Sequence, residues 1–349
     1  MPPRRRPENL GLPRRWQFEH GAYYYRVKPG LEAQWDGKKR FRLGSTLSEA
    51  HITFGKRSGA PAVKVRAIGD LLDRYAVEVV LAKAPQTQVN NRRAIARLRA
   101  VFGALSLSEL RPHHIYGYAD RRRPRVVSGH REIEVLSHAF TKAVEWGLID
   151  RHPFKGEVRL QGEPPRTRYV EDWEIVEALS IAPQRAKGSV LVIKAYIALK
   201  LLTGLSRGDL LRLEPARHFK DDGIHAQRHK TAQTTGKRTI YEWTPERRQA
   251  VADAVAARPV DLAPHLFCNA HGRGYMNEEK GTASGFNSMW HNFMARVLAE
   301  TKVTERFTEH DLRAKCASDA ESLERARALL SHATTATTLA IYRRKPERV

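Results

Sequence analysis

Thr308-Glu309-His310-Asp311-Leu312-Arg313 is the stretch on which the reading turns. Helical spacing puts His310 and Arg313 on one face, about one turn apart. Arginine offers a planar fork of donors for two phosphate oxygens, and histidine exchanges a proton near neutral pH. The pair suits a site that grips a phosphate and handles its proton, although alone it is a weak signal that reads first as a solvated surface. Downstream, Leu329-Leu330-Ser331-His332 closes an apolar run ten residues before Tyr342. Upstream lie Thr203-Gly204-Leu205-Ser206-Arg207-Gly208-Asp209-Leu210 and a polar turn from Gln227-Arg228-His229-Lys230-Thr231 to Gly236-Lys237-Arg238. Each has a plain reading by itself: His332 as a cap or partly buried ring, Tyr342 as packing, Lys230 as a solvated turn lysine.

The surrounding pattern is mostly helical. Ser189 to Leu202 is apolar nearly all round, which predicts a buried helix. Two strands are predicted at 223–230 and 238–243. Helices follow near 245–257, 286–301, 310–320, 321–330 and 335–342. Further upstream, Val65, Ile68, Leu71, Leu72 and Tyr75 recur at spacings of three and four, the period of an amphipathic helix. A second helix is predicted over 89–102, its apolar stripe interleaved with Arg92, Arg93, Arg97 and Arg99. A short helix after Ser108, the basic loop Arg121-Arg122-Arg123-Pro124-Arg125 and a helix over 128–147 complete this region. Residues 58–62 and 162–166 read as linkers. Before them, residues 1–60 carry a local charge of +8. Ala22-Tyr23-Tyr24-Tyr25-Arg26-Val27 and Gly37 to Gly44 read as strands. Alternation puts Phe41 and Leu43 on one face of the second, Arg40 and Arg42 on the other.

The whole chain of 349 residues has a formal net charge of +23. That excess points to a polyanionic partner, nucleic acid first. Hydrophobic residues at 41% exclude a fully disordered chain. No run of about 18 apolar residues suggests a membrane span, and the basic N-terminus lacks the apolar stretch of a secretory signal. Cys268 and Cys316 lie too far apart in sequence for a metal pair or a disulfide framework. They read as thiols in a reducing cytosol.

Taken in order, Thr-Gly-x-x-x-Gly-Asp-Leu, a strand-borne Lys-Thr, His-x-x-Arg, Ser-His and a tyrosine near the C-terminus resemble the tyrosine recombinases of the phage integrase type. The resemblance implies a mainly α chain with small β-sheets (α+β). It would comprise a β-rich arm-type DNA-binding unit at 1–60, a helical, SAM-like core-binding domain at 64–150 and a mixed α/β catalytic domain at 165–349. It implies a tyrosine hydroxyl that attacks a DNA phosphodiester, leaving a 3′-phosphotyrosyl link and a free 5′-hydroxyl. Tyr342 would be that nucleophile, Arg313 and Arg207 charge-stabilising clamps, and Lys230 the general acid. His310 would assist proton transfer, and His332 would hydrogen-bond the scissile phosphate. Arg40, Arg42, Arg92, Arg93, Arg97, Arg121, Arg122 and Arg123 are the expected DNA contacts. Neither a cofactor nor a metal is implied. The implied partners are double-stranded DNA at attachment sites, a homotetramer on that DNA, and DNA-bending or excision proteins. The implied setting is cytoplasmic and nucleoid-associated, encoded by a bacterium or phage.

Two departures stand out. Ser206 occupies the position where the family's first arginine is expected, with Asp209 in phase. One helical residue turns a side chain by about 100°, so Arg207 must reach from a neighbouring direction. Arg212 in that role, or a weakened site, are the alternatives. The ten-residue gap from His332 to Tyr342 is one longer than usual. A non-enzymatic DNA-binding protein on the same scaffold is therefore a second reading. A metal-dependent nuclease built on His310 and Asp311 is a third, disfavoured because clustered carboxylates are missing.

Overall fold

The computed structural model describes residues 12–13, 15–45, 47–58, 65–162, 166–229, 232 and 236–346. Lys230, most of the two linkers and the basic N-terminal segment lie outside them. The chain divides into two compact units, Met1–Gly162 and Glu163–Val349.

The first unit holds two separate cores. One lies on a three-stranded antiparallel sheet, β1 (Trp16–Glu19), β2 (Ala22–Arg26) and β3 (Arg40–Gly44). His20 and Gly21 both take positive φ between β1 and β2, the geometry of a two-residue hairpin turn that matches strand twist. The inward face gathers Trp16, Tyr25, Phe41 and Leu43 over Trp35, and Phe54 of α1 (Leu47–Arg57) closes it. Arg40 and Arg42 point outward, as alternation requires. Sequence reading passed over β1 and α1. Only four residues of β1 pair, and a lone apolar run beside Arg14-Arg15 gives little period to read.

The other core is a helical bundle of α2 (Ile68–Glu78), α3 (Pro85–Phe102), α4 (Pro112–Arg121) and α5 (Val126–Glu145). Prolines open α3 and α4 at N1, where a missing N–H costs nothing. Leu71, Leu72, Tyr75, Leu98, Leu136 and Phe140 are fully or almost fully buried. At the junction of α3, α4 and α5 the buried Glu132 accepts from Tyr118 at 2.6 Å, Arg97 at 2.6 Å and Arg122 at 3.0 Å. Burial alone would raise its pKa, but these donors hold the carboxyl below its ordinary value. Gly129 permits the junction, since a Cβ there would lie 2.7 Å from the Cβ of Arg122. Replacing Glu132 with alanine strands the buried Tyr118 hydroxyl and frees two guanidiniums that water can still reach. Stability should fall by about 1–3 kcal/mol, and an unfolding free energy in urea unchanged from wild type would count against the hub.

The second unit is built around α7 (Ser189–Thr203), whose apolar run packs on all sides. Against it lie α10 (Pro245–Ala257) and α12 (Glu309–Ser318). Preceding α7 is α6 (Asp172–Ser180); following it are the short α8 (Arg207–Leu211) and α9 (Pro215–His218). A second antiparallel sheet runs β4 (Phe219–Lys220), β5 (Gly223–Gln227), β6 (Arg238–Glu242). α11 (Ser284–Glu300), α13 (Leu323–Leu329) and α14 (Thr335–Tyr342) complete the unit. The expected class, mainly α with small sheets, is what the chain adopts. The predicted bounds of α10 and α14 agree with the structure, whereas α6 was missed. The free thiols Cys268 and Cys316 are both buried.

Candidate active site

Tyr342 ends α14 and is only 8% exposed. Three groups box its ring. The His310 ring lies 5.4 Å away and the His332 ring 5.0 Å, centroid to centroid. The Arg313 guanidinium lies 5.5 Å from the ring centre. Helix α12 supplies two of these because Thr308 and Asp311 cap its start reciprocally, fixing where His310 and Arg313 point. The buried Asp311 also holds Arg344 at 2.8 Å and Arg166 at 3.2 Å. The Ser318 hydroxyl donates to the Tyr342 carbonyl at 2.8 Å. The end of α14 and the residues just after the tyrosine are thus tied down to α12.

Arg313 is buried without a carboxylate partner. It donates to the carbonyl of Gly204 at the end of α7, to that of Leu330 at the end of α13 at 2.8 Å, and to Nε2 of His332 at 3.3 Å. Gly204 ends α7 in the left-handed region, φ 62°, where a Cβ would collide with Leu330 and Cys316. Only glycine lets the carbonyl turn onto Arg313 there. A guanidinium has five N–H donors, so two remain for an incoming anion.

Ser331 takes a positive φ of 52° and hydrogen-bonds Thr239 at 2.6 Å, which turns His332 back into the cluster. Because Arg313 is always a donor, Nε2 of His332 accepts and Nδ1–H donates to Thr338 at 2.9 Å. Both ring nitrogens are therefore engaged. Burial, then the cations Arg313, Arg228 and Lys237, push the His332 pKa down to about 4. His332 is neutral at pH 7. Between about pH 6.5 and 4 the unfolded chain binds this proton and the folded one does not, so stability falls as pH drops through that window. The loss is on the order of 3 kcal/mol. His138 and His152 are lowered in the same direction by burial, so the comparison must be with a variant. His332→Gln should show a flatter fall in urea midpoint from pH 6.5 to 4; parallel profiles would refute the assignment. His310 is also lowered, chiefly by desolvation and then by nearby cations against a counteracting Glu309.

No protein-family model matches the chain. A curated relative named "Putative integrase/recombinase", from Haemophilus influenzae, is 27% identical over 172 residues, 48% of this chain and 44% of that one. The chain thus spans less than half the length of that relative. Among solved structures, a lambda integrase dimer bound to a COC′ core site superposes with a TM-score of 0.62 at 17% identity, covering 99% of both chains. The chain has the fold of the tyrosine recombinases. The lambda integrase tetramer bound to a Holliday junction gives 0.59 at 17% identity over 93% of this chain and 97% of that one. The Tn1549 transposon integrase in complex with circular intermediate DNA gives 0.60 at 15% over 78% and 94%.

Within this recombinase fold the position of Ser206 is clear. Its side chain caps α8, accepting from the Asp209 N–H and donating to the Asp209 carboxylate at 2.6 Å. Ser-x-x-Asp is a capping signature legible in sequence, and it was overlooked. Arg207 is not brought to Tyr342. It leaves the helix toward Asn287, at 2.9 Å, and Glu309, at 4.0 Å. Glu309 is shared with the fully buried Lys200 at 2.7 Å. Arg212 is held by Glu278 at 2.8 Å. The side chain that does face the cluster is Arg228, which sequence reading left unassigned. Lys237, also unassigned, donates to the His332 carbonyl at 3.0 Å.

The arginines expected at DNA divide into two sets. Arg97 and Arg122 are anchored on Glu132, and Arg123 pairs with Asp120 at 3.1 Å. Arg40 pairs with Glu19 and stacks on Tyr24, Arg42 bonds Ser45 and Arg92 bonds Gln88. Arg93 and Arg121 have no ion-pair partner among the described residues. Arg93 lines a groove of about 640 Å³ beside α3 and α5, together with Lys83, Arg97 and Arg131.

Proposed function

We propose that this chain is a site-specific DNA recombinase that breaks and rejoins DNA through a 3′-phosphotyrosyl intermediate, integrating or excising a mobile element. The observation that carries this is the box of His310, Arg313 and His332 around Tyr342. The Tyr342 oxygen attacks the scissile phosphorus as its proton passes toward the neutral His310. The bond from phosphorus to the 5′-oxygen breaks, and Lys230 gives that oxygen a proton. Arg313 stabilises the charge on the non-bridging oxygens, with His332 holding its guanidinium in place. The new phosphotyrosyl ester conserves the broken bond, so a 5′-hydroxyl can reverse the step without an energy source.

The parts of the first unit fit the expected division of labour: the basic sheet of 1–60 at accessory DNA, and the helical 64–150 region on the core duplex through Arg93 and Arg121. Arg42 and Arg92, which have no carboxylate partner among the described residues, add backbone affinity without reading sequence. Strand exchange between two duplexes calls for a tetramer on attachment-site DNA, with bending or excision proteins as accessories. Action on DNA calls for a cytoplasmic, nucleoid-associated setting. Among the described residues no helix is long and apolar enough to cross a membrane.

The test is a pool of nicked duplexes with random sequence around the nick, in which the nick lets the 5′-hydroxyl fragment diffuse away. The full chain should yield denaturant-resistant protein–DNA adducts, with the linked peptide containing Tyr342. Adducts through another residue would overturn the reading.

A further inference from the structure

We propose that Arg228, carried by the end of β5, supplies the second phosphate clamp that Ser206 and Arg207 do not. The inference rests on the recombinase reading above and deepens it.

Strand alternation comes first. Ile224 and Ala226 face inward and are 0% and 7% exposed. Period two continues that face to Arg228, which puts a guanidinium where the pattern calls for an apolar side chain. A cation sent inward normally meets a carboxylate. Here it meets none: Nε of Arg228 is buried with no hydrogen-bond partner, and no ion pair to Arg228 exists among the described residues.

Its surroundings come second. Arg228 and Arg313 line one gap with Asp209, Leu330 and Ser331, too tight as it stands to hold a water molecule. Two guanidiniums so placed repel each other, and desolvation followed by Arg313 disfavours the charge on Arg228. The arrangement is costly alone and is relieved by an anion that both guanidiniums reach from the open side. Arg313, which shares this gap, lies 5.5 Å from the centre of the Tyr342 ring, so Arg228 borders the cluster around the tyrosine.

The positioning comes third. Asp209 does two jobs with two oxygens. Oδ2 takes the Ser206 hydroxyl, and Oδ1 accepts the backbone N–H of His229 at 2.9 Å. The carboxylate therefore holds the strand end next to Arg228 and attracts its guanidinium from a distance, without bonding it.

The test uses the full chain and the same nicked pool. Arg228→Ala should lower adduct formation by about 10²–10³-fold, with DNA affinity changed less than about fivefold. Arg207→Ala should be at least tenfold less damaging than Arg228→Ala. A structural role is separated by chemistry. If one non-bridging oxygen of the scissile phosphate is replaced by methyl, the charge to be clamped is gone. Arg228→Ala should then approach the wild-type rate on that substrate. Arg228→Lys keeps a charge with one point of contact, and it controls for folding by retaining the wild-type melting profile. Adducts by Arg228→Ala within fivefold of wild type, or no recovery on the methyl-bearing substrate by a folded variant, would overturn the proposal while leaving the recombinase reading intact. Absence of adducts with the wild-type chain would overturn both.

Discussion

Tyr342→Phe should form no covalent adduct at all while binding DNA within a few-fold of the wild-type chain. The substitution removes one oxygen and keeps the ring. The contacts of that ring with His310, His332 and Arg313 are made by its faces and edges, so packing at the end of α14 survives. The ties that set the helix end run through the backbone: Ser318 to the Tyr342 carbonyl, and the Arg344 N–H to Ser318 at 2.8 Å. Neither depends on the hydroxyl. Among the described residues no hydrogen bond to that hydroxyl is lost, since none is made. The expected change is therefore confined to chemistry, and its size is the whole rate. The readout is a denaturing gel of the nicked duplex beside a binding titration at fixed salt, because phosphate contacts make affinity salt-dependent. Adducts from the phenylalanine variant would remove Tyr342 from the mechanism.

Arg313→Ala should be the next most severe change, and it should act twice. Chemically, it deletes a clamp on the transition state, about 10²–10³-fold in rate. Structurally, it strands the carbonyls of Gly204 and Leu330 and the Nε2 of His332 inside the second unit. Each unsatisfied buried acceptor costs about 1–3 kcal/mol, so the melting midpoint should drop clearly as well. Arg313→Lys separates the effects. The ammonium restores a charge and part of the bonding, yet it cannot serve three acceptors in one plane and still reach a phosphate. Stability should recover in part and adduct formation should not. A lysine variant forming adducts within tenfold of wild type would show that the planar fork is dispensable.

Much of this site was legible before any coordinates. His310 and Arg313 share a face because a strong reciprocal cap starts α12 where the sequence says it should. Order alone linked them to His332 and Tyr342, and the fold brings all four together. The ten-residue spacing from His332 to Tyr342 is spanned by a short turn over 333–334 and the eight residues of α14. What escaped the reading lies where two local rules compete. Ser206 was weighed as a missing arginine when its neighbours Arg207-Gly208-Asp209 marked it as a cap. Arg228 sits in Gln-Arg-His-Lys, a run whose polarity hides the inward alternation of the strand before it. Arg97 and Arg122 read as a basic surface because the carboxylate that engages them, Glu132, stands on another helix, 35 residues from Arg97 and ten from Arg122, and is buried under both. Ion pairs between distant segments leave no local trace, so charge counted along a chain overstates what is free to meet a polyanion.

The carbonyls of Gly204 and Leu330 have a consequence for how Arg313 meets its substrate. Arg344 and Lys200, equally buried, are each matched by a full negative charge, Asp311 and Glu309. To an approaching phosphodiester these are neutral pairs. Arg313 is held just as firmly, but by dipoles at two helix ends whose partial charges orient it without cancelling it. Its formal charge stays whole. A carboxylate in the same place would have to be pushed aside by every phosphate that entered. Backbone oxygens need not move, so nothing has to leave Arg313 before a phosphate can reach it.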